Sequence, residues 1–136
     1  MKRTPRVTAM AGISAALAIA TVAGAGAANA ATSFDVSSGV SRVTGSLSFS
    51  GTTKFTATNV TLYDTSCDNR SAQFRFVTNN GAYGWRYVNQ CNTSATWSSL
   101  SGTDGGTLNW VRVETKACNS GGCSSLGANT YDNPNT

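Results

Sequence analysis

The run Val43-Thr44-Gly45-Ser46-Leu47-Ser48-Phe49 sets Val, Leu and Phe on one side of an extended chain and hydroxyl groups on the other. A period of two fits a half-buried strand and no helix. The same alternation returns in Ala72-Gln73-Phe74-Arg75-Phe76, and in Leu108 to Lys116, where Val111 and Val113 share a face against Arg112 and Glu114. Phe55-Thr56-Ala57 starts another strand, and Val60-Thr61-Leu62 continues it out of phase. That slip near Asn59 predicts a β-bulge or a corner. Asn79-Asn80-Gly81 is the strongest hairpin signal, because Asn and Gly accept the positive φ of tight turns. It predicts a returning strand from Tyr83 to Cys91, with Tyr83, Trp85, Tyr87, Asn89 and Cys91 on one face. A short strand around Ala95 to Trp97 follows. Turn formers separate all these pieces, and none carries a helical period. The expected fold is all-β: a small antiparallel sandwich, or a barrel, of six to seven strands with two disulfides.

The first thirty residues belong to none of this. Lys2, Arg3 and Arg6 precede an uncharged stretch from Val7 to Ala27, and Ala28-Asn29-Ala30 ends it. A basic start, an apolar middle and small residues at −3 and −1 are the pattern of a secretory signal peptide, 1–30, cut after Ala30. The stretch is too rich in Ala, Gly and Thr for a membrane anchor. The remaining residues, 31–136, make one secreted domain, whose Gly-, Asn- and Pro-containing end, 126–136, reads as a loose tail. Three of the ten bases leave with the leader, so seven bases face six acids and the net charge falls to +1. A balance so near neutral argues for neither nucleic acid nor an anionic membrane as partner.

All four cysteines lie in the exported part, and four cysteines allow three pairings. Gly121 and Gly122 let the chain turn back between Cys118 and Cys123, which pairs those two and leaves Cys67 with Cys91. Zinc would need four thiolates, since the chain has no His, and these spacings are not those of zinc knuckles. Only eighteen exported residues are Leu, Val or Phe, so covalent staples suit a core this sparse.

Without His or a free Cys, the common nucleophile and base pairs cannot be built, and the chain reads as a non-enzyme with no cofactor. Asp64 and Asp68 are the nearest pair of carboxylates for glycoside chemistry, on a loop too short to enclose a sugar. Asp64, Asp68 and Asn69 could offer oxygens to calcium, but their spacing matches no defined calcium loop, and side chains of this kind usually brace turns. The sequons at Asn59, Asn69 and Asn92 matter only in a host that glycosylates, and the Ala- and Gly-rich leader has a bacterial look.

The richest binding feature is Tyr83-Gly84-Trp85-Arg86-Tyr87, since Trp, Tyr and Arg dominate binding hot spots. The plainer expectation keeps Trp85 and Tyr87 in the core and points Arg86 to water. The triplet Trp85-Arg86-Tyr87, beside a hairpin in a small exported chain with two disulfides, resembles tendamistat-type α-amylase inhibitors. That resemblance implies that Trp85, Arg86 and Tyr87 enter an enzyme's active-site cleft. The Cys118 to Cys123 spacing near the end of a sandwich is similar to neocarzinostatin-type chromophore carriers, in which a final strand follows. Leu62-Tyr63-Asp64-Thr65-Ser66-Cys67-Asp68-Asn69-Arg70 resembles small secreted actinobacterial β proteins of unassigned role. Together these features lead to a secreted, extracellular binding protein whose partner is a protein or a glycan. Trp85, Arg86, Tyr87 and Tyr83 are its expected binding residues.

Overall fold

The computed structural model describes residues 29–89 and 91–136. Apart from its last two residues, the expected leader lies outside them. Ten strands follow in chain order: β1 (Thr32–Ser38), β2 (Ser41–Ser50), β3 (Lys54–Asp64), β4 (Ser71–Thr78), β5 (Gly81–Ala82), β6 (Arg86–Val88), β7 (Thr93–Thr103), β8 (Trp110–Asn119), β9 (Gly122–Cys123) and β10 (Gly127–Asp132). Seven of them are six residues or longer. The described residues form no helix. One sheet runs β1-β2-β3-β7, and the other runs β10-β8-β4 with β5 and β6 along the far side of β4. All pairs are antiparallel. The two sheets face each other as a sandwich.

The alternating residues fill the space between the sheets. Phe34 and Val36 of β1, Val43, Leu47 and Phe49 of β2, Phe74 and Phe76 of β4, and Val111 and Val113 of β8 are buried. Phe76 sits at the centre of an aromatic cluster, with ring centroids 5.3 Å from Phe55, 5.7 Å from Phe74 and 6.3 Å from Phe34. Each such pair adds about 0.5–1.5 kcal/mol beyond its burial.

The phase slip in β3 is a bulge, as expected. Thr44 pairs with Thr61 and Ser46 with Thr58, so three residues of β3 span two of β2. Asn59 takes the extra step at φ 50°. Phe55 and Ala57 before it, and Val60 and Leu62 after it, can therefore all face the core. Opposite the bulge, Gly45 leaves room for the Phe34 ring, whose tip would lie 2.6 Å from a Cβ at that position.

The disulfides are Cys67–Cys91 and Cys118–Cys123. The second joins directly paired residues of the β8–β9 hairpin.

The C-terminal end corrects an expectation. Residues 126–136 are not a loose tail, because Gly127–Asp132 forms β10 along β8. Asn133 fixes it there: its side chain is buried and donates to the carbonyls of Leu108 at 2.8 Å and Gly51 at 3.1 Å. A segment with few apolar residues is held by ladder bonds, one buried amide and the Tyr131 ring packed on Phe34, which hydrophobic patterning cannot reveal. β1 was likewise not foreseen, although Phe34 and Val36 alternate in it.

Candidate functional site

The hairpin at Asn79-Asn80 forms where expected, with Thr78 opposite Gly81. Positive φ falls on Gly81 (φ 153°) and on neither Asn. Both Asn side chains instead reach across to the 104–109 loop. Asn79 donates to Thr107 O at 2.8 Å and accepts from Asn109 N, while Asn80 donates to Asp104 Oδ2 at 3.1 Å.

The returning strand is broken. Val77 pairs with Ala82 and Phe74 with Arg86, so three steps on β4 match four on the returning chain. The extra residue falls at Gly84-Trp85, opposite Arg75. This β-bulge inverts the alternation. Tyr83 donates its backbone N–H to Phe76 O at 2.9 Å and turns inward, where its ring meets Phe55 edge-on at 5.5 Å. Beyond the bulge, Arg86 lies opposite the inward-facing Phe74, whereas Tyr87 lies opposite Gln73 on the outer face. The expected common face of Tyr83, Trp85, Tyr87, Asn89 and Cys91 is thus split. The core placement of Trp85 and Tyr87 is also corrected. Trp85 is half-buried on the outside, Tyr87 is 59% exposed, and only Tyr83 packs on the core.

Tyr83 is held on three sides. Its hydroxyl donates to Asp104 Oδ1 at 3.0 Å. A Cβ on Gly102 would lie 2.4 Å from that hydroxyl and 2.3 Å from Phe55, so only glycine lets β7 pass so close. Burial, and then the hydrogen bond to Asp104, push the Tyr83 phenol up to about 12.

On the outer face, Trp85 lies across neighbouring strands. The Arg75 guanidinium is 4.5 Å from its ring centroid and the Lys116 ammonium 4.3 Å. Arg75 also donates to Glu114 at 2.7 Å, and Glu114 takes a second contact of 2.7 Å from Arg112. Glu114 points away from the core yet is 1% exposed, because these two arginines cover it. Arg112 in turn lies 5.8 Å from the Trp110 ring centroid. The near balance of seven bases and six acids over residues 31–136 hides this row of cations and indoles on one sheet. The other sheet shows hydroxyls outward, among them Thr61 and Thr96, hydrogen-bonded to each other at 3.0 Å.

The bulge also opens a cleft. Gly84 has no side chain, and a Cβ there would meet nothing within 4 Å. A space of about 320 Å³ is left between the sheet edges, lined by Phe55, Phe74, Phe76, Tyr83, Trp85 and Leu100, with the exposed Arg86 at its rim. That is the lower end of ligand-pocket sizes. The guanidinium of Arg86 lies 5.9 Å from the Trp97 ring centroid on β7 and is in none of the ion pairs among the described residues.

The other sequence-level candidates lie elsewhere. Asp64 Oδ1 accepts from Ser66 N at 3.2 Å, and Asp68 Oδ1 from Arg70 N at 3.1 Å. Each braces its own turn. Among the described residues, no group of three or more acidic, His or Cys side chains could hold a metal ion. All four cysteines are in disulfides, and no helix of the described residues is long and apolar enough to cross a membrane.

The structure therefore brings Tyr83, Trp85 and Arg86 to one cleft, with the Trp85 ring also against the cations of the outer face, and leaves Tyr87 outside it. Leu100, Ser101 and Arg75, which also line the cleft, were not foreseen. The available signal was Gly84, because a glycine inside a strand pattern marks a bulge. No known protein family, curated protein or solved structure matches this chain.

Proposed function

We propose that this chain is exported and works outside the cell as a non-enzymatic binding protein, recognising its partner at the open side of the sandwich. The observation that carries this reading is the aromatic cleft with a cation at its rim that, among the described residues, no carboxylate answers. Arg86 and Tyr87 are exposed beside it, and Arg and Tyr are the side chains most enriched in binding hot spots. The leader pattern and two disulfides in a small domain support an extracellular setting.

The test is an array of extracellular glycans and peptides probed with the wild type and with an Arg86→Ala/Tyr87→Ala variant. A ligand retained by the wild type and weakened at least about tenfold in the variant is expected for a hot-spot pair. A protein that retains nothing but turns over a substrate would sink the proposal.

Inhibition of α-amylase has less support. Arg86 and Tyr87 leave β6 on opposite sides, so the three side chains do not project together. That reading expects inhibition at micromolar concentration, abolished by Arg86→Ala.

A further inference from the structure

The cleft lies beside an unusual edge. β7 is the last strand of its sheet and pairs, among the described residues, only with β3. Its eleven residues, Thr93 to Thr103, include no charged residue and no proline. An edge strand exposes a row of unpaired N–H and C=O groups, and proteins normally protect such edges with charge, proline or brevity. The other edges here follow that rule. β1 carries Asp35, ion-paired with Arg42, and β10 ends at Asp132 with Pro134 just beyond. β5 and β6 are two and three residues long. Among the strands of the described residues, β7 alone is a long edge without charge or proline.

We propose that β7 receives an extended segment of another polypeptide as an added strand. The proposal rests on the binding reading above and names its mode. A strand laid against β7 covers the open side of the sandwich and turns alternate side chains inward. One inward side chain then meets the cleft walled by Phe55, Phe74, Phe76, Tyr83 and Leu100, which suits a large apolar residue. Arg86 stands at the rim on the same side, so an acidic residue two positions along completes the match. The backbone row of β7, with its two-residue repeat, is complementary to another backbone and not to a sugar chain. A second copy of this chain fits less well. Its β7 carries no acid to meet Arg86, and two copies would leave both guanidinia unanswered.

The test uses the purified protein and the nonapeptide acetyl-Thr-Val-Thr-Phe-Thr-Glu-Thr-Val-Thr-amide, in which Val, Phe, Glu and Val share a face. Two further peptides carry N-methyl groups on the odd or on the even residues, and a fourth has Lys in place of Glu. Saturable shifts of the β7 amides are expected, with hydrogen exchange there slowed at least about tenfold. One N-methyl series should bind and the other should not, because only alternate amides face β7. Arg86→Gln should remove a preference of about fivefold for the Glu over the Lys peptide, the size of a partly exposed ion pair.

Both N-methyl series binding equally would overturn the proposal, as would no shift at about 1 mM peptide. Protection of β7 that grows with protein concentration alone would also overturn it and assign the edge to a second copy. A glycan bound through Arg86 or Tyr87 with β7 unchanged would overturn strand addition while leaving the binding reading intact.

Discussion

Asn59, Asn69 and Asn92 are the asparagines of the three sequons, and all three sit at positive φ, 50°, 64° and 48°. Most side chains resist that region, and asparagine tolerates it. Their place in the sequence is thus accounted for by local backbone geometry without any sugar. Tyr83 shows the same control of one residue by its surroundings, and here the result can be titrated. Its phenol is near 10 when unfolded and about 12 when folded, so the fold favours the protonated form. The stabilisation is therefore complete below pH 10 and is lost as pH rises from about 10 to about 12. The tyrosinate absorbance of the wild type minus that of Tyr83→Phe should rise near pH 12. The fall in unfolding free energy over that interval should be smaller in the variant. A difference absorbance with its midpoint near pH 10 would show that neither burial nor Asp104 shifts the hydroxyl.

At the level of strands, the sequence was most legible where one face is apolar and the other polar. β2, β4 and β8 appear close to their expected limits, and the β3 bulge was visible as a change of phase. The return from the Asn79-Asn80 turn misled because Tyr83, Trp85 and Tyr87 keep a perfect period of two while the backbone does not. All three are amphipathic enough to face either way, so side-chain type could not decide the register. Gly84 could have, as the one residue there without a stake in the alternation. β10 was invisible for the opposite reason. It is held by backbone pairing, the buried Asn133 amide and the single ring of Tyr131 against Phe34, and one aromatic does not make an apolar pattern. Of the expected binding residues, the cleft keeps Tyr83, Trp85 and Arg86 on its lining, while Tyr87 stands on the outer surface. Residues from β3, β4 and β7 complete it, and their proximity is a property of the pairing, not of any local run.

For the whole molecule, the two disulfides share the work unequally. Cys118–Cys123 spans five positions within a hairpin that the β8–β9 pairing already closes. Cys67–Cys91 spans twenty-four and ties the β3–β4 connection to the chain just after β6. β6 meets β4 over only three pairs, so this bond anchors the far end of the bulged strand. In the chain-entropy account the larger loop contributes about 3 kcal/mol and the smaller about 2 kcal/mol. Replacing Cys67 and Cys91 with Ser should therefore lower the unfolding free energy more than replacing Cys118 and Cys123. The two pairs should also differ in where the loss appears. Hydrogen exchange at Arg86, Tyr87 and Val88 should accelerate well beyond the global average in the first variant, since a short ladder frays once its anchor goes. In the second variant those amides should follow global stability and the cleft should persist. Equal exchange at β6 in both variants would mean that the bulged strand is held by Tyr83 and the Trp85 cation contacts alone, with the long disulfide acting only on the unfolded chain.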